Sequence, residues 1–412
     1  MDKKLLWVWL SLLFGADKAI YKKIYENFDI EEAYEFDDNS FSINDELFSE
    51  YEIRNLLDKN LKEAKKVIEW CEKAQVEIIT IESENYPKRL LSLANCPGVL
   101  YCRGKLPDID NELCVTVIGT RKQTTYGAKV AFELGYGLTK GGALVISGGA
   151  LGNDTSSHKG ALYSGGKTVV VLGSGINVTY PRENANLFEL VAANGAIITE
   201  YPPNTPPNGH NFPKRNRIMA SLSNATVVVE GGERSGTSIT ADITKKLGRT
   251  LFAVPGPIDA PYSFTPNELI KNGALPATSA IDVLEQFLDE YSGKIDLTAS
   301  KQRPNYDRGF EVFEEKQTSN FISKLFGKSK EDKKQSKASK LEQDEKTSNI
   351  DTSKLSLEEK KIYDFMVPDK EYDLDMLDAL DFDFTELTLY LLNMQMTGYL
   401  TEVPGGRYKK NI

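Results

Sequence analysis

The sequence holds few of the residues that build metal sites and disulfide scaffolds. Its 412 residues include four cysteines and two histidines, His158 and His210. The cysteines show no CxxC or metal-ligand spacing, so we expect no metal site and no disulfide framework, and a cytoplasmic setting fits this composition. No apolar run reaches the roughly 20 residues that a membrane helix needs, so no membrane association is expected.

Acids outnumber basic residues over the whole chain, but one part of the chain has the opposite balance. The formal net charge is −10, which is not typical of a protein that binds nucleic acid over its whole surface. Residues 115–229 reverse this balance, with ten lysines and arginines against five acids. Any site for an anionic ligand is therefore expected to lie within this segment.

Residues 1–75 predict a small helical, SAM/HhH-like domain. Helices are expected at residues 5–14, 18–27 and 56–74, because apolar residues recur there with helical spacing. The break near Gly15 is typical of a helix-hairpin-helix turn, which can contact a DNA backbone. A docking or dimerisation role is favoured instead, because acids are abundant in this part of the sequence.

Residues 76–291 alternate short apolar strands with helices. Strands are expected at residues 77–81, 114–118, 144–147, 168–172, 196–199, 225–229 and 250–254. Helices fit between them, at residues 126–140, 154–164, 184–194, 218–223 and 237–247. Strands that are apolar throughout are typical of a parallel sheet covered on both faces. The fold class is therefore predicted to be α/β, with an extended Rossmann-like, doubly wound sheet.

The C-terminal part of the chain predicts a linker and a third domain. Residues 292–352 are expected to form a disordered, charged linker, because they contain too few apolar residues to bury a core. Residues 353–412 predict a winged-helix domain. One helix is expected to end at Met366, and two more are expected at 374–380 and 385–397. A hairpin of 399–403 with 407–410 follows them. Residues 371–406 carry eight acids and no lysine or arginine. Such a surface would repel duplex DNA, so a protein-binding or regulatory role is expected.

Glycine-containing turns follow four of the predicted strands. They begin at Gly119, Ser147, Gly173 and Gly231. In an open α/β sheet, ligands bind outside the carboxyl ends of the strands, where these turns should meet. The last turn continues through Ser235 into a predicted helix start, which is an arrangement that binds phosphate. The four turns together predict a phosphate-binding cleft.

A basic segment precedes the last glycine turn. Its members are Lys214, Arg215, Asn216 and Arg217. No acid lies between Glu200 and Glu230, which excludes ion pairing with near neighbours in sequence and favours an anionic ligand. Arg121 could clamp a phosphate with two hydrogen bonds or form a surface salt bridge. Phe212 and Tyr180 could stack on unpaired bases, although packing in the core is an equal alternative.

Asp154 and His158 lie four residues apart and share a helical face. They could form an acid–base pair. Bracing of a loop is favoured, because no serine or cysteine nucleophile has a matching spacing.

These motifs together resemble those of the DNA-processing protein A family, also called DprA or Smf. The matching segments include YPKRLLSL (86–93), GTR (119–121), SGGALGNDTSSHKGAL (147–162), FPKRNRIMASLS (212–223) and VVVEGGERSGTSITA (227–241). The resemblance implies a protein that binds single-stranded DNA and forms a homodimer through its Rossmann-like domain. It further implies that the protein protects incoming DNA and loads the RecA recombinase during natural transformation, without a cofactor and without enzymatic activity.

The resemblance also implies a set of DNA-contacting residues. They are Arg121, Ser147, Gly148, Gly149, Phe212, Lys214, Arg215, Asn216, Arg217, Ser235, Gly236 and Thr237. The chain departs from the family at Asn153, Ser156 and Ser157, where smaller or apolar residues are usual, and around Thr265.

Two alternative functions remain open on the sequence. A nucleotide phosphoribohydrolase of a related Rossmann group would share the glycine turn. Those enzymes carry a glutamate shortly after the Gly-Thr pair, whereas Gly236 and Thr237 are followed here by Ser-Ile-Thr-Ala, which disfavours hydrolysis. A transcription regulator that acts through the winged helix is disfavoured by its acidic residues.

Overall fold

A nine-stranded mixed sheet organises the larger part of the protein. The structure is a computed structural model that describes residues 2–37, 40, 47–233, 235–304, 355–367, 370–372, 399–403 and 407–411, together with Leu377, Tyr390, Leu391 and Met394. The chain divides into two units, residues 1–325 and residues 326–412. Each unit is described by itself.

Within the described residues, five helices precede the sheet. They are α1 (Lys3–Phe14), α2 (Ile20–Asn27), α3 (Ile30–Glu35), α4 (Glu50–Leu56) and α5 (Lys62–Lys73). The single helix predicted at 56–74 is wrong at its start. The side chains of Asp58 and Asn60 accept hydrogen bonds from backbone amides two residues later, at 3.1 and 3.0 Å. Such local bonds compete with helix formation, so α4 and α5 are separate.

The N-terminal helices and the sheet share one hydrophobic core. Both tryptophans of α1, Trp7 and Trp9, are almost completely buried, and their core continues through Ile79 of the sheet to Val170. Residues 1–75, predicted as a domain of their own, are therefore packed within the same unit as the α/β segment.

The sheet has the strand order β1-β2-β6-β5-β4-β3-β7-β8-β9. The strands are β1 (Glu77–Thr80), β2 (Val99–Gly104), β3 (Cys114–Ile118), β4 (Leu144–Ser147), β5 (Thr168–Val171), β6 (Ala196–Thr199), β7 (Ala225–Val228), β8 (Thr250–Ala253) and β9 (Leu275–Pro276). The pairs from β6 to β9 are parallel, which confirms the mostly parallel sheet. The pairs β1–β2 and β2–β6 are antiparallel, and neither β2 nor β9 was predicted.

The strand order changes direction between β3 and β7. Strands β4, β5 and β6 extend the sheet on one side of β3, whereas β7, β8 and β9 extend it on the other. Chains that leave β3 and β7 therefore diverge to opposite sides and open a crevice at the carboxyl ends of these strands.

Helices cover the sheet. They are α6 (Thr125–Lys140), α7 (Asn153–Tyr163), α8 (Ala185–Asn194), α9 (Asn211–Leu222), α10 (Thr237–Lys246), α11 (Phe264–Lys271), α12 (Ala280–Glu285) and α13 (Leu297–Ser300). Helices α6 and α7 pack closely, because a Cβ atom at Gly160 would lie 2.0 Å from the Phe132 carbonyl oxygen. Helix α9 begins at Asn211, seven residues before its predicted start, so it contains the whole basic segment. Helix α13 lies within the predicted linker, and residues 305–354 are outside the described residues.

The second unit contains α14 (Leu357–Phe365), β10 (Glu371–Tyr372), β11 (Leu400–Val403) and β12 (Arg407–Lys410). Ser356 and Glu359 form the predicted capping box. The antiparallel pairing of β11 with β12 confirms the predicted hairpin. The helices predicted at 374–380 and 385–397 fall almost entirely outside the described residues, so the winged-helix assignment stays a prediction. No described helix of either unit has the length and apolar character needed to span a membrane.

Candidate nucleic-acid interface

A cleft of about 480 Å³ opens where β3 and β7 end. Seven of the predicted DNA-contacting residues line it, namely Arg121, Phe212, Arg215, Asn216, Ser235, Gly236 and Thr237. Gly148 lines a small adjoining cavity together with Arg121 and Phe212. The fold thus brings three of the four predicted glycine turns, those after β3, β4 and β7, together with α9, whereas the turn that begins at Gly173 does not line the cleft.

Arg121 supplies an exposed cation at the cleft. Its guanidinium carbon lies 4.9 Å from the ring centroid of Phe212, and within the described residues it has no ion-pair partner. The Phe212 ring lies 5.6 Å from the ring of Tyr180, which is 40% exposed. The three side chains form a cationic aromatic surface that can contact both a phosphate and the face of a base.

Arg215 is buried beneath the cleft and is only 4% exposed. Its Nη1 donates to the Gly148 carbonyl at 2.7 Å and to the Val171 carbonyl, so it ties the turn after β4 to the end of β5. A Cβ atom at Gly148 would lie 2.4 Å from the guanidinium nitrogens, which requires glycine there. Burial lowers the pKa of Arg215 to about 10, although Asp154 opposes the shift.

Ser147 and Gly149 support the turn after β4 from inside. Ser147 is completely buried and donates its hydroxyl to the Val117 carbonyl at 2.6 Å. Gly149 is also buried and adopts φ +64°, and a Cβ atom there would lie 2.8 Å from the Phe188 ring. The prediction that these two residues contact DNA is corrected, because both are buried; they shape the turn instead.

Arg217 is the largest departure from the predicted site. It is 5% exposed. Its Nη2 contacts Glu200 at 2.6 Å and its Nε contacts Asp17 at 2.9 Å. The predicted DNA contact is corrected, because the guanidinium is enclosed between two carboxylates. Sequence neighbours could not reveal the pairing, since Asp17 lies 200 residues away.

Lys214 and Asn216 remain accessible on α9. Both are partly exposed. Asn216 lines the cleft and accepts a hydrogen bond from Arg215 at 3.2 Å. Lys214 lies outside the cleft lining, and across the described ranges no acid pairs with it. Of the three predicted cations on α9, Lys214 is therefore the one whose charge is open to solvent.

Asp154 and His158 brace the structure around the cleft. The Asp154 carboxylate accepts hydrogen bonds from the Gly148 and Ala150 amides at 3.2 and 3.4 Å, and burial raises its pKa although Arg215 opposes this. The Nδ1 of His158 lies 2.8 Å from the Thr168 hydroxyl, and burial lowers the pKa of His158 to about 3. These contacts agree with the bracing role that the sequence favoured.

The glycine turn after β7 is held from a direction that the sequence analysis missed. Thr265 donates its amide to the Gly231 carbonyl at 2.9 Å and its hydroxyl to the Gly232 carbonyl at 2.6 Å. The only sequence signal was that Thr265 departs from the family pattern. Helix α10 begins in this turn, and its N-cap residue Gly236 provides no capping side chain. The positive end of the helix dipole therefore lies at the cleft.

Comparisons with known proteins identify relatives of this chain. The sequence model of the DNA recombination-mediator protein A family matches residues 77–288. Protein Smf of Escherichia coli is 38% identical over 217 residues, which cover 52% of this chain and 58% of that protein. DNA processing protein DprA of Bacillus subtilis is 37% identical over 211 residues, or 51% of this chain and 71% of that protein.

A solved structure extends the match to the fold. The X-ray structure of DprA from Streptococcus pneumoniae has a TM-score of 0.60 and 28% identity, and the alignment covers 69% of this chain and 98% of that one. The sequence matches thus span a little over half of the length of E. coli Smf and a larger share of the other relatives named.

Proposed function

Because this chain belongs to the DNA recombination-mediator protein A family, we propose that it binds single-stranded DNA in the cleft at β3 and β7. The observation that carries the proposal is the position of Arg121, an exposed cation that lies on an aromatic ring at the carboxyl ends of the strands. A charged group with no partner in the described structure is suited to an anionic ligand. Arg121, Arg215 and Asn216, which line the cleft, belong to segment 115–229, in which basic residues outnumber acids.

The proposed mode of binding combines phosphate contacts with base stacking. Arg121 and Lys214 would contact backbone phosphates, and the positive end of the α10 dipole would add to the attraction. Phe212 and Tyr180 would stack on bases, which must be unpaired to expose their faces. This combination favours single strands over duplexes.

The proposal includes the wider role that the family resemblance implies. The protein would protect incoming DNA and load RecA during natural transformation, as a cytoplasmic homodimer formed through the α/β segment. It would do so without a cofactor and without catalysis. The residues of the glycine turn support the absence of catalysis.

The glycine turn lacks the glutamate that a nucleotide phosphoribohydrolase would carry shortly after the Gly-Thr pair. The residues after Thr237 are Ser238 and Ile239, with no carboxylate. Two acids lie in the turn before Thr237. Glu233 is exposed. Glu230 is 4% exposed, and its carboxylate accepts hydrogen bonds from the Thr124 hydroxyl at 2.5 Å and the Asn153 amide at 3.4 Å. This arrangement favours a structural role for Glu230. The absence of a carboxylate directly after Thr237 disfavours the alternative of a nucleotide phosphoribohydrolase.

Fluorescence anisotropy with labelled single-stranded and duplex oligonucleotides over a salt series tests the DNA proposal. We expect tighter binding to the single strand and weaker binding as salt rises. Arg121→Ala should weaken binding and reduce the salt slope by about 0.7, the value for one lost phosphate contact on a single strand. Lys246→Ala is the matched control, because Lys246 is an exposed cation at the opposite end of α10.

Three results would contradict the proposal. They are wild-type affinity of Arg121→Ala, a preference for the duplex, and an equal loss in Lys246→Ala. Release of base from a nucleoside monophosphate would instead support the hydrolase. For assembly, sedimentation should show a dimer at micromolar concentration, and only monomer there would contradict the homodimer.

A further inference from the structure

The turn between α1 and α2 is the sequence's helix-hairpin-helix candidate, and the function proposed above does not use it. It contains Gly15, with φ +68°, and Asp17, with φ +66°. A non-glycine residue in this left-handed region is uncommon and is held there by its surroundings. Asp17 is therefore fixed by contacts rather than by its own preference.

Two hydrogen bonds connect this turn to α9 and to the end of β6, and a third joins α9 to the end of β6. The Asp17 carboxylate accepts from Arg217 Nε at 2.9 Å. The Asp17 amide donates to the Glu200 carboxylate at 3.2 Å, and Arg217 Nη2 donates to the same carboxylate oxygen at 2.6 Å. The three residues form a closed triangle, which we call the Asp17 triangle. Asn95 adds a further hydrogen bond to the Asp17 carboxylate.

The Asp17 triangle is shielded from water. The side chains of Arg217 and Glu200 are 6% and 2% exposed, and that of Asp17 is 24% exposed. Charge-assisted hydrogen bonds in such surroundings are strong and directional. Burial lowers the pKa of Arg217, but Glu200 and Asp17 more than offset this and raise it, so the guanidinium stays charged.

Arg217 lies on the same helix as the residues that reach the cleft. Phe212 and Asn216 line the cleft, and Lys214 is three residues before Arg217. A helix moves as a rigid element, so a contact that fixes Arg217 also fixes these side chains relative to the glycine turns. The hairpin turn thus reaches the site through α9.

We propose that Asp17 is a positioning residue for the DNA cleft, which acts through Arg217 to hold α9 in its binding position. This inference rests on the proposed function, because the cleft must bind DNA for the position of α9 to matter. On this inference the hairpin turn positions α9 and does not itself contact a DNA backbone.

The test uses Asp17→Gly in the full-length chain. Glycine adopts φ +66° without strain, so this variant removes the carboxylate while it preserves the turn. We expect the Kd for single-stranded DNA to rise about tenfold, since one charge-assisted hydrogen bond contributes energy of that order. Asp17→Asn, which keeps an oxygen acceptor for Arg217 and also tolerates this conformation, should recover most of the affinity.

Lys23→Ala is the matched control. Lys23 pairs with Glu52 at 2.8 Å within the N-terminal helices, and its side chain is also 24% exposed. This change removes an ion pair of the same helical segment without touching α9. It should leave the Kd unchanged.

Hydrogen exchange without DNA separates positioning from general stability. Asp17→Gly should accelerate exchange of the amides in the α9 segment 211–217, whereas Lys23→Ala should not. Wild-type exchange and wild-type affinity in Asp17→Gly would overturn the inference, and so would an equal change in Lys23→Ala. If the wild-type protein fails to bind single-stranded DNA, the proposed function fails instead, and the exchange experiment still reports on the Asp17 triangle.

Discussion

Lys214 and Arg217 lie three residues apart on α9, and their replacement by alanine should affect different properties of the protein. Arg217 is 5% exposed and paired with Glu200 and Asp17. Lys214 is partly exposed, and no acid in the described structure pairs with it. We expect Arg217→Ala to destabilise the fold and Lys214→Ala to weaken DNA binding while stability is retained.

The magnitudes follow from the environment of each side chain. Removal of Arg217 leaves Glu200, which is only 5% exposed, without its counter-charge. Breaking a buried ion pair in this way costs about 3–5 kcal/mol of unfolding free energy. Lys214→Ala should change that free energy by no more than about 0.5 kcal/mol, as is usual for surface substitutions. It should reduce the salt slope of DNA binding by about 0.7.

The pH dependence gives a second check on Arg217. Burial raises the pKa of Glu200 in the folded protein, although Arg217 opposes the shift. A carboxyl with a raised folded-state pKa favours the folded state below its unfolded pKa and loses that contribution as pH rises through the folded value. Without Arg217 the ionised form of Glu200 loses its counter-charge, so the folded-state pKa of Glu200 rises further. The loss of unfolding free energy in Arg217→Ala should therefore be larger near pH 8 than near pH 5.

Urea unfolding at both pH values measures these effects, together with anisotropy for DNA. The reasoning is refuted if Arg217→Ala is as stable as the wild type near pH 8. It is also refuted if Lys214→Ala loses as much stability as Arg217→Ala does.

Three further predictions concern residues around the cleft. Tyr180→Ala should weaken binding of single-stranded DNA by about 1–3 kcal/mol, the usual contribution of one stacked base, as measured by anisotropy. Gly148→Ala should destabilise the protein by about 1–3 kcal/mol in urea unfolding, because the new Cβ would displace the buried guanidinium of Arg215. His158 has a depressed folded-state pKa, so its contribution to stability is present above its unfolded pKa and is lost as pH falls. Between pH 7.5 and 5 this loss is about 2 kcal/mol, and thermal unfolding of His158→Gln should lack it.

Each of these predictions has a result that would contradict it. Unchanged affinity of Tyr180→Ala would exclude stacking at that ring. Gly236→Ala is the control for Gly148, because its φ is −62° and nothing lies within 4 Å of the added Cβ; equal stability losses in the two variants would reject the contact with Arg215. If His158→Gln loses stability in acid as steeply as the wild type does, His158 is not the group responsible.

The sequence predicted much of the sheet and the edge at which the candidate site lies. The strands from Cys114–Ile118 to Thr250–Ala253 were found within a residue of their ends, because strands buried on both faces are continuous apolar segments. The turns at Gly119 and Gly231 were placed at one edge, because parallel strands present their carboxyl ends on the same side. The C-terminal hairpin was found for a similarly local reason, since two short strands flank Pro404-Gly405-Gly406.

Elements with weak local signals were missed. Strand β9 has only two residues and includes Pro276. Strand β2 is apolar but owes its place to antiparallel pairing with both β1 and β6. The start of α9 was placed too late, because Asn211–Arg217 contains few apolar residues to reveal its helical period.

The sequence by itself determined that glycine turns and a segment with more basic than acidic residues would meet at the carboxyl ends of the strands of an α/β sheet. Only the tertiary structure decided which of those charges are open to solvent. Arg121 is exposed on an aromatic ring, whereas Arg217 is enclosed by Glu200 and Asp17. The physical reason is that charge and turn chemistry are properties of nearby residues, whereas burial and ion pairing depend on segments that folding brings together from as far apart as residues 17 and 217.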